Sequence, residues 1–478
     1  MIFTEPFFLF FFLPILLSCY YFVGIRAQNV LLVAASLFFY AYGESYYLLL
    51  LLFSCCFNYL IARWMDGYET EKIRRYFLGL GISGNVGMLA LFKYADFVVE
   101  NINQLMTILG GVFLIPSAGL HLPIGISFYT FQALTYLIDV YRRQARAQSG
   151  IMNVCLYISL FPQLIAGPIV RYSQMASQIY GRVSSLENVT YGIRRFIIGL
   201  AKKVVIANTL ATASDAIFAI PFEHLTPSLA WLGIFCYTLQ IYYDFASYSD
   251  MAIGIGLMLG FRFPENFNYP YAAVSVTDFW RRWHMTLSSW FRDYVYIPLG
   301  GNRQGRSRLY LNLILVFFAC GLWHGASWNF VIWGLLHGSV LVIERHTGGH
   351  GTSVQRTVLR QIYVWGFLMS SFVVFRTESM IGASRYLFAM IGAYSGTGVE
   401  YHPGLYLNTP LILIVGIAVL GCWPILPALK EHLEQAIPKR VSRGWVDFGT
   451  YSALLAVLGI TISFMSAQSH VPFIYFRF

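Results

Sequence analysis

The chain has 478 residues, of which 57% are hydrophobic and only 11% charged, with a mean hydropathy of +0.60. Soluble domains carry about 25% charged residues, so this composition excludes a soluble enzyme or binding module and defines an integral membrane protein. The formal charge of +10 is spread over short loops between apolar runs, a pattern that fits membrane topology rather than a nucleic-acid surface.

About 11 to 13 apolar windows of membrane length recur along the chain. Runs such as PFFLFFFLPILLSCYYFV lack the alternation of a barrel strand, so the predicted fold class is all-α, a polytopic helical bundle. No basic stretch precedes the first run and no convincing cleavage site ends it, which makes residues 6–23 an uncleaved first span. Spans over residues 30–42 and 47–62 follow. The loop between them carries Glu44 and no positive charge, whereas Arg26, Arg63, Lys72, Arg74 and Arg75 mark the opposite side. By the positive-inside rule that side is cytoplasmic and the N-terminus faces out. Further apolar pieces cover residues 77–92, 105–115 and 122–140 and end at Arg142, Arg143 and Arg146, again on the cytoplasmic side.

Residues 152–170 are apolar but cut by Pro162, Gly167 and Pro168, with basic residues on both flanks. A segment that returns to the side it came from is re-entrant; a kinked ordinary span is the alternative. Arg194, Arg195, Lys202 and Lys203 then surround a short apolar stretch at the cytoplasmic face and give a helix a basic side, open to reading as a lipid-facing surface or as a ligand-phosphate site. Asp244 and Asp250 fall in apolar surroundings and need partners, which the arginine-rich segment after Thr277 is expected to supply.

Residues 277–338 concentrate the chemistry. Ser275 and Asp278 are spaced as a capping box, and a helix at the membrane surface is expected after them. On a helical wheel Trp280, His284, Leu287, Phe291 and Tyr294 share one face, and Arg281, Ser288 and Arg292 another. His324 sits between Gly321 and Gly325 in an apolar run from Leu309 to Ile343. An ionisable group at that depth costs about 2 to 3 kcal/mol unless it is paired or faces a cavity, which marks His324 as a candidate functional residue. The flanking glycines would let a substrate or a backbone come close. Histidine suits general-base work near neutral pH. A neutral histidine bonded to a carbonyl is the alternative for His324 and His337, and an interfacial, snorkelling side chain is the alternative for His284.

The rest offers less. His346 and His350 have the spacing of a helical metal pair, but Gly348 and Gly349 between them argue against a helix, and no metal site is expected. The last spans are expected over residues 363–375, 384–393, 405–426 and 446–466, with Lys430, Lys439, Arg440 and Arg443 in the final inner loop. Seven cysteines without a CxxC pair read as core hydrophobes. A metal-dependent membrane oxidase would need several closely spaced histidine pairs. A transporter would show repeat halves; the broken segment suits one, the missing repeat does not. The whole chain, residues 1–478, is read as one transmembrane domain with a catalytic core over about 122–345.

Six stretches carry a family resemblance: LPIGISFYTFQALTYLIDVYR at residues 122–142, FPQLIAGPIVRY at 161–172, LQIYYDFASYSDMAIG at 239–254, FWRRWHMTLSSWFRDYVYIPLGG at 279–301, GLWHGASWNFVIWGLLHG at 321–338, and the terminal PFIYFRF. In order and spacing the chain resembles the membrane-bound O-acyltransferase family, within it the bacterial branch that serves alginate and cellulose O-acetylation. The resemblance implies a helical bundle with a central tunnel, a catalytic histidine at His324 and a second, His284, on the cytoplasmic approach. It implies acetyl-CoA as donor, with no permanently bound cofactor, and a periplasmic acetyltransferase subunit as partner in the inner membrane. A related protein that moves D-alanine onto teichoic acid is the runner-up. Coenzyme A carries about four negative charges, and Arg281, Arg282, Lys202 and Lys203 lie where its phosphates would arrive. Trp323, Asn329 and backbone amides remain open as donors to an oxyanion.

Overall fold

The computed structural model describes residues 1–111, 114–348, 354–393, 396–425, 443–467 and 473. Of the described residues 75% are helical, and none is in a strand. Among the described residues, six helices are long and apolar enough to cross a membrane: Leu48–Asp66, Glu71–Ile108, Leu186–Phe218, Arg306–His324, Thr357–Arg376 and Asp447–Ala467. Three shorter apolar helices, Phe8–Tyr21, Ile25–Ala41 and Thr409–Gly421, accompany them. The protein is therefore an all-α, multi-pass membrane protein.

Fewer helices meet the full-span criterion than the apolar windows suggested, for two physical reasons. Some are short: Ile126–Tyr141 has 16 residues. Others carry buried polar groups, as Pro227–Met258 does with Gln240, Asp244 and Ser247. The piece at 77–92 and the start of that at 105–115 lie on one helix, Glu71–Ile108, whose 38 residues extend about 57 Å. Residues 152–170 are not a kinked full span. The helix Ile151–Ser159 rises only about 14 Å before the chain turns and starts again at Phe161–Leu164, with Pro162 in the first turn.

The chain forms two compact units, Met1–Ile193 with Ala252–Pro264, and Arg194–Met251 with Glu265–Phe478. In the first, Phe3, Phe8, Phe12 and Phe39 surround Phe161 at ring distances of 5.4 to 6.4 Å, so the broken segment is packed in the middle of an aromatic core. Asn58 and Asn85 exchange hydrogen bonds between apolar helices at 3.1 and 2.7 Å. Arg74, counted among the loop positives, is instead buried and donates to the carbonyls of Met65, Val140 and Tyr141 at two helix ends.

The second unit is built around the nearly wholly buried helix from Pro227 and the hairpin of Arg306–His324 with Trp328–Thr347. Asp244 and Asp250 find their partners on the preceding helix, not on the segment after Thr277. Lys203 pairs with Asp244, while Lys202 reaches Asp250 at 2.8 Å. Arg195 bridges Asp250 at 2.9 Å and Glu265 at 2.5 Å. Gly199 permits this closeness, since a Cβ there would press on the Ser247 carbonyl and Met251. The helix Trp328–Thr347 ends at Gly348, φ +62°. Gly349, His350, Lys430, Lys439 and Arg440 lie outside the described residues.

Candidate active site

His324 ends the helix Arg306–His324, and Gly325 breaks it in an extended conformation. The two hairpin helices cross where Gly321 faces Gly334. A Cβ on Gly321 would meet the Phe330 carbonyl, and one on Gly334 the Phe317 carbonyl. Gly325 likewise makes room for the Phe330 ring. These glycines serve helix crossing, rather than leaving space for a substrate beside His324. The result is a buried imidazole, 5% exposed, walled by Trp333 at 5.0 Å, Phe375 at 5.1 Å and Trp323 at 4.9 Å between ring centres.

The expected continuous surface helix is in fact broken. Ser275 caps a short helix, Val276–Trp280, by accepting from the Asp278 N–H at 2.9 Å. Glu344 holds the same end, accepting from the N–H groups of Val276 and Thr277 at 2.7 and 2.8 Å and from the Thr277 hydroxyl at 2.6 Å. A turn follows, and His284 stands in the left-handed region, φ +40° and ψ +54°, before the helix Met285–Phe291 begins. The five-residue aromatic face therefore does not exist as one stripe. His284 is 1% exposed instead of snorkelling, packed edge-on against Phe245 at 4.7 Å. Burial, in a segment outside the spanning helices, pushes its imidazole pKa down to about 3. The ring lies 6.1 Å from Trp323, the neighbour of His324.

His337 takes a structural part. Trp280 Nε1 donates to its Nδ1 at 3.1 Å, and its Nε2 meets Ser371 Oγ at 3.2 Å. Asn329 is engaged as well, donating to the carbonyls of Val374 and Thr377 at 3.1 and 2.7 Å, which removes it as an oxyanion donor. The buried indole N–H of Trp333 has no hydrogen-bond partner among the described residues. Sequence reasoning missed Trp333, Glu344 and Asn266. Trp333 lies within the quoted glycine- and tryptophan-rich motif; nothing in the spacing marks Glu344 as a cap.

Of the four expected phosphate contacts, Arg281 is exposed and Arg282 is held at 3.0 Å by Asp278 with a third of its side chain open. Lys202 is also about a third open, beside Asp250. Lys203 is only 1% exposed and spent on Asp244, so it does not reach a phosphate from this position.

Two buried imidazoles thus share an indole neighbour in a helical membrane protein. Residues 35–384 match the MBOAT model, membrane-bound O-acyltransferase family. The chain belongs to that family and is an acyltransferase. It is 39% identical to the probable alginate O-acetylase AlgI of Pseudomonas putida, over the whole of both chains. It is 39% identical to the peptidoglycan O-acetyltransferase of Helicobacter pylori, over all of this chain and 98% of the other. Similarity to the teichoic acid D-alanyltransferase of Bacillus subtilis is 29%, over 45% of this chain and 56% of the other.

Proposed function

We propose that the protein is an inner-membrane O-acetyltransferase. It takes acetyl groups from cytoplasmic acetyl-CoA and passes them outward, through a periplasmic acetyltransferase subunit, to the hydroxyls of an exported polysaccharide of the alginate type. The observation that carries this reading is His324, buried in an aromatic cage beside the indole that also touches His284, in a chain alike from end to end to an alginate O-acetylase. His324 accepts the proton of the attacking hydroxyl as the new C–O bond forms, the thioester C–S bond breaks, and the proton leaves on the coenzyme A thiol. The Trp333 indole N–H is the donor suited to the developing oxyanion. Arg281, Arg282 and Lys202 attract the donor's phosphates at the cytoplasmic face. Moving only the acetyl group avoids carrying a polyanion through lipid.

D-alanyl transfer is less supported, since that likeness covers under half the chain. Peptidoglycan is the acceptor to test against alginate, because the likeness to the Helicobacter pylori enzyme is equally complete. Deleting the gene should remove O-acetyl groups from the exported uronate polymer and leave those of peptidoglycan in place. The reverse result would move the acceptor to peptidoglycan; no change in either would overturn acetylation as the function.

A further inference from the structure

The side chain of Asn266 ties His284 to Thr286 and Ser249. Its Oδ1 accepts from His284 Nδ1 at 2.9 Å, from the Thr286 hydroxyl at 2.9 Å and from the Thr286 backbone N–H at 3.3 Å. Its Nδ2 donates to Ser249 Oγ at 3.0 Å. A backbone N–H only donates, so the Thr286 contact fixes which way the amide faces: its oxygen is toward the histidine. An amide oxygen only accepts, so His284 Nδ1 carries a proton, and in the neutral ring Nε2 holds the lone pair. His337 is the counter-example in the same unit. There Trp280 donates to Nδ1, the proton sits on Nε2, and the ring is a structural bridge to Ser371.

The backbone makes the same point. Met285 N–H donates to the Asn266 carbonyl and Asn268 N–H to the Arg282 carbonyl, both at 2.9 Å, lacing the extended stretch to the turn. That lacing holds His284 in its left-handed conformation, which is strained for a residue with a Cβ and persists only where the surroundings impose it.

We propose that Asn266 is a positioning residue that locks His284 in the Nδ1–H tautomer, so that Nε2 is the nitrogen offered to the acyl-transfer reaction. The charges on the neighbouring elements are matched in pairs. Asp244 and Asp250, on the helix that carries Phe245, are held by Lys203 and by Lys202 with Arg195, and Asp278 is held by Arg282. Among the described residues, His324, next to Trp323, is a further titratable neighbour. Asn266→Asp would keep an acceptor on Nδ1 and favour the protonated ring; Asn266→Ala would remove the lock.

The kinetic half of the test rests on the acetyl-transfer reading and the spectroscopic half does not. Full-length protein in detergent, labelled with 15N-histidine, should show a His284 signal, identified by its loss in His284→Gln, with Nδ1 protonated and Nε2 unprotonated at neutral pH. Asn266→Ala should mix the tautomers and lower kcat for acetyl-CoA turnover about 10- to 100-fold, the range known for hydrogen-bond partners of metal-bound histidines, with KM little changed. Asn266→Asp should keep the tautomer, restore part of kcat and move the acid limb of the kcat profile upward. An Nε2–H tautomer in the unmodified protein, or an unchanged kcat in Asn266→Ala, would overturn the proposal. If the alanine variant does not fold, the unmodified spectrum and the aspartate variant decide. If the unmodified protein shows no turnover, acetyl transfer falls while the tautomer test still stands.

Discussion

Trp323 lies 6.1 Å from His284, ring centre to ring centre, and is followed in the chain by His324. One indole thus borders two imidazoles that stand 40 residues apart in sequence. The first is fixed by a turn and an asparagine, the second by a helix end and a glycine crossing. Each support has a measurable consequence.

Lys203 and Asp244 are both nearly inaccessible to solvent, so removing one partner strands a charge. Lys203→Met or Asp244→Asn alone should cost about 3 to 5 kcal/mol in thermal or denaturant unfolding in detergent. The double replacement Lys203→Met with Asp244→Leu should recover much of the loss. Single variants as stable as the parent would show that the pair is incidental.

Gly321→Ala and Gly334→Ala each set a methyl against a carbonyl of the facing helix and should destabilise by about 1 to 3 kcal/mol, with activity lost alongside through displacement of His324. Ala at Gly366, where a Cβ meets nothing within 4 Å, is the control and should be neutral. Equal behaviour of the three variants would contradict the crossing.

Arg281→Ala with Arg282→Ala should raise the KM for acetyl-CoA about tenfold, equivalent to about 1.4 kcal/mol, and leave kcat nearly unchanged, because phosphates remote from the thioester are held equally before and during reaction. The effect should shrink as salt rises. A loss confined to kcat would move these arginines to the chemistry.

His284 is neutral when folded, with a pKa near 3, whereas the unfolded chain binds that proton below about 6.5. Falling pH therefore favours the unfolded state. Stability is full above pH 6.5 and declines toward pH 3, by about 2 kcal/mol at pH 5 from this group alone. His284→Gln should flatten that part of the stability profile; an identical slope in the variant would mean that the ring is not held neutral.

The helical, multi-pass character was legible because long apolar runs leave few other solutions, and the Ser275 cap was legible because its bond is local. The turn at His284 was not. The period-3.6 stripe from Trp280 to Tyr294 is real in the sequence, but long-range bonds from Asn266 and Glu344 bend the chain away from it. The partners of Asp244 and Asp250 were hidden for a like reason. Arginines close in sequence drew attention, while Lys202 and Lys203 lie across a helix pair that spacing alone does not align. His324 could be singled out by its depth. Its glycines were read as room for substrate, and only the facing helix shows that the Phe330 carbonyl and ring occupy that room.

The central claim is that His324 removes the proton in acyl transfer. The most direct measurement is the acetyl content of the exported polysaccharide in cells carrying His324→Ala as the sole copy, with membrane level and detergent monodispersity of the variant checked in parallel. Acetylation should fall to the level of the deletion strain while the protein is present and folded. Near-normal acetylation at normal protein level would make His324 a packed core residue and contradict the mechanism.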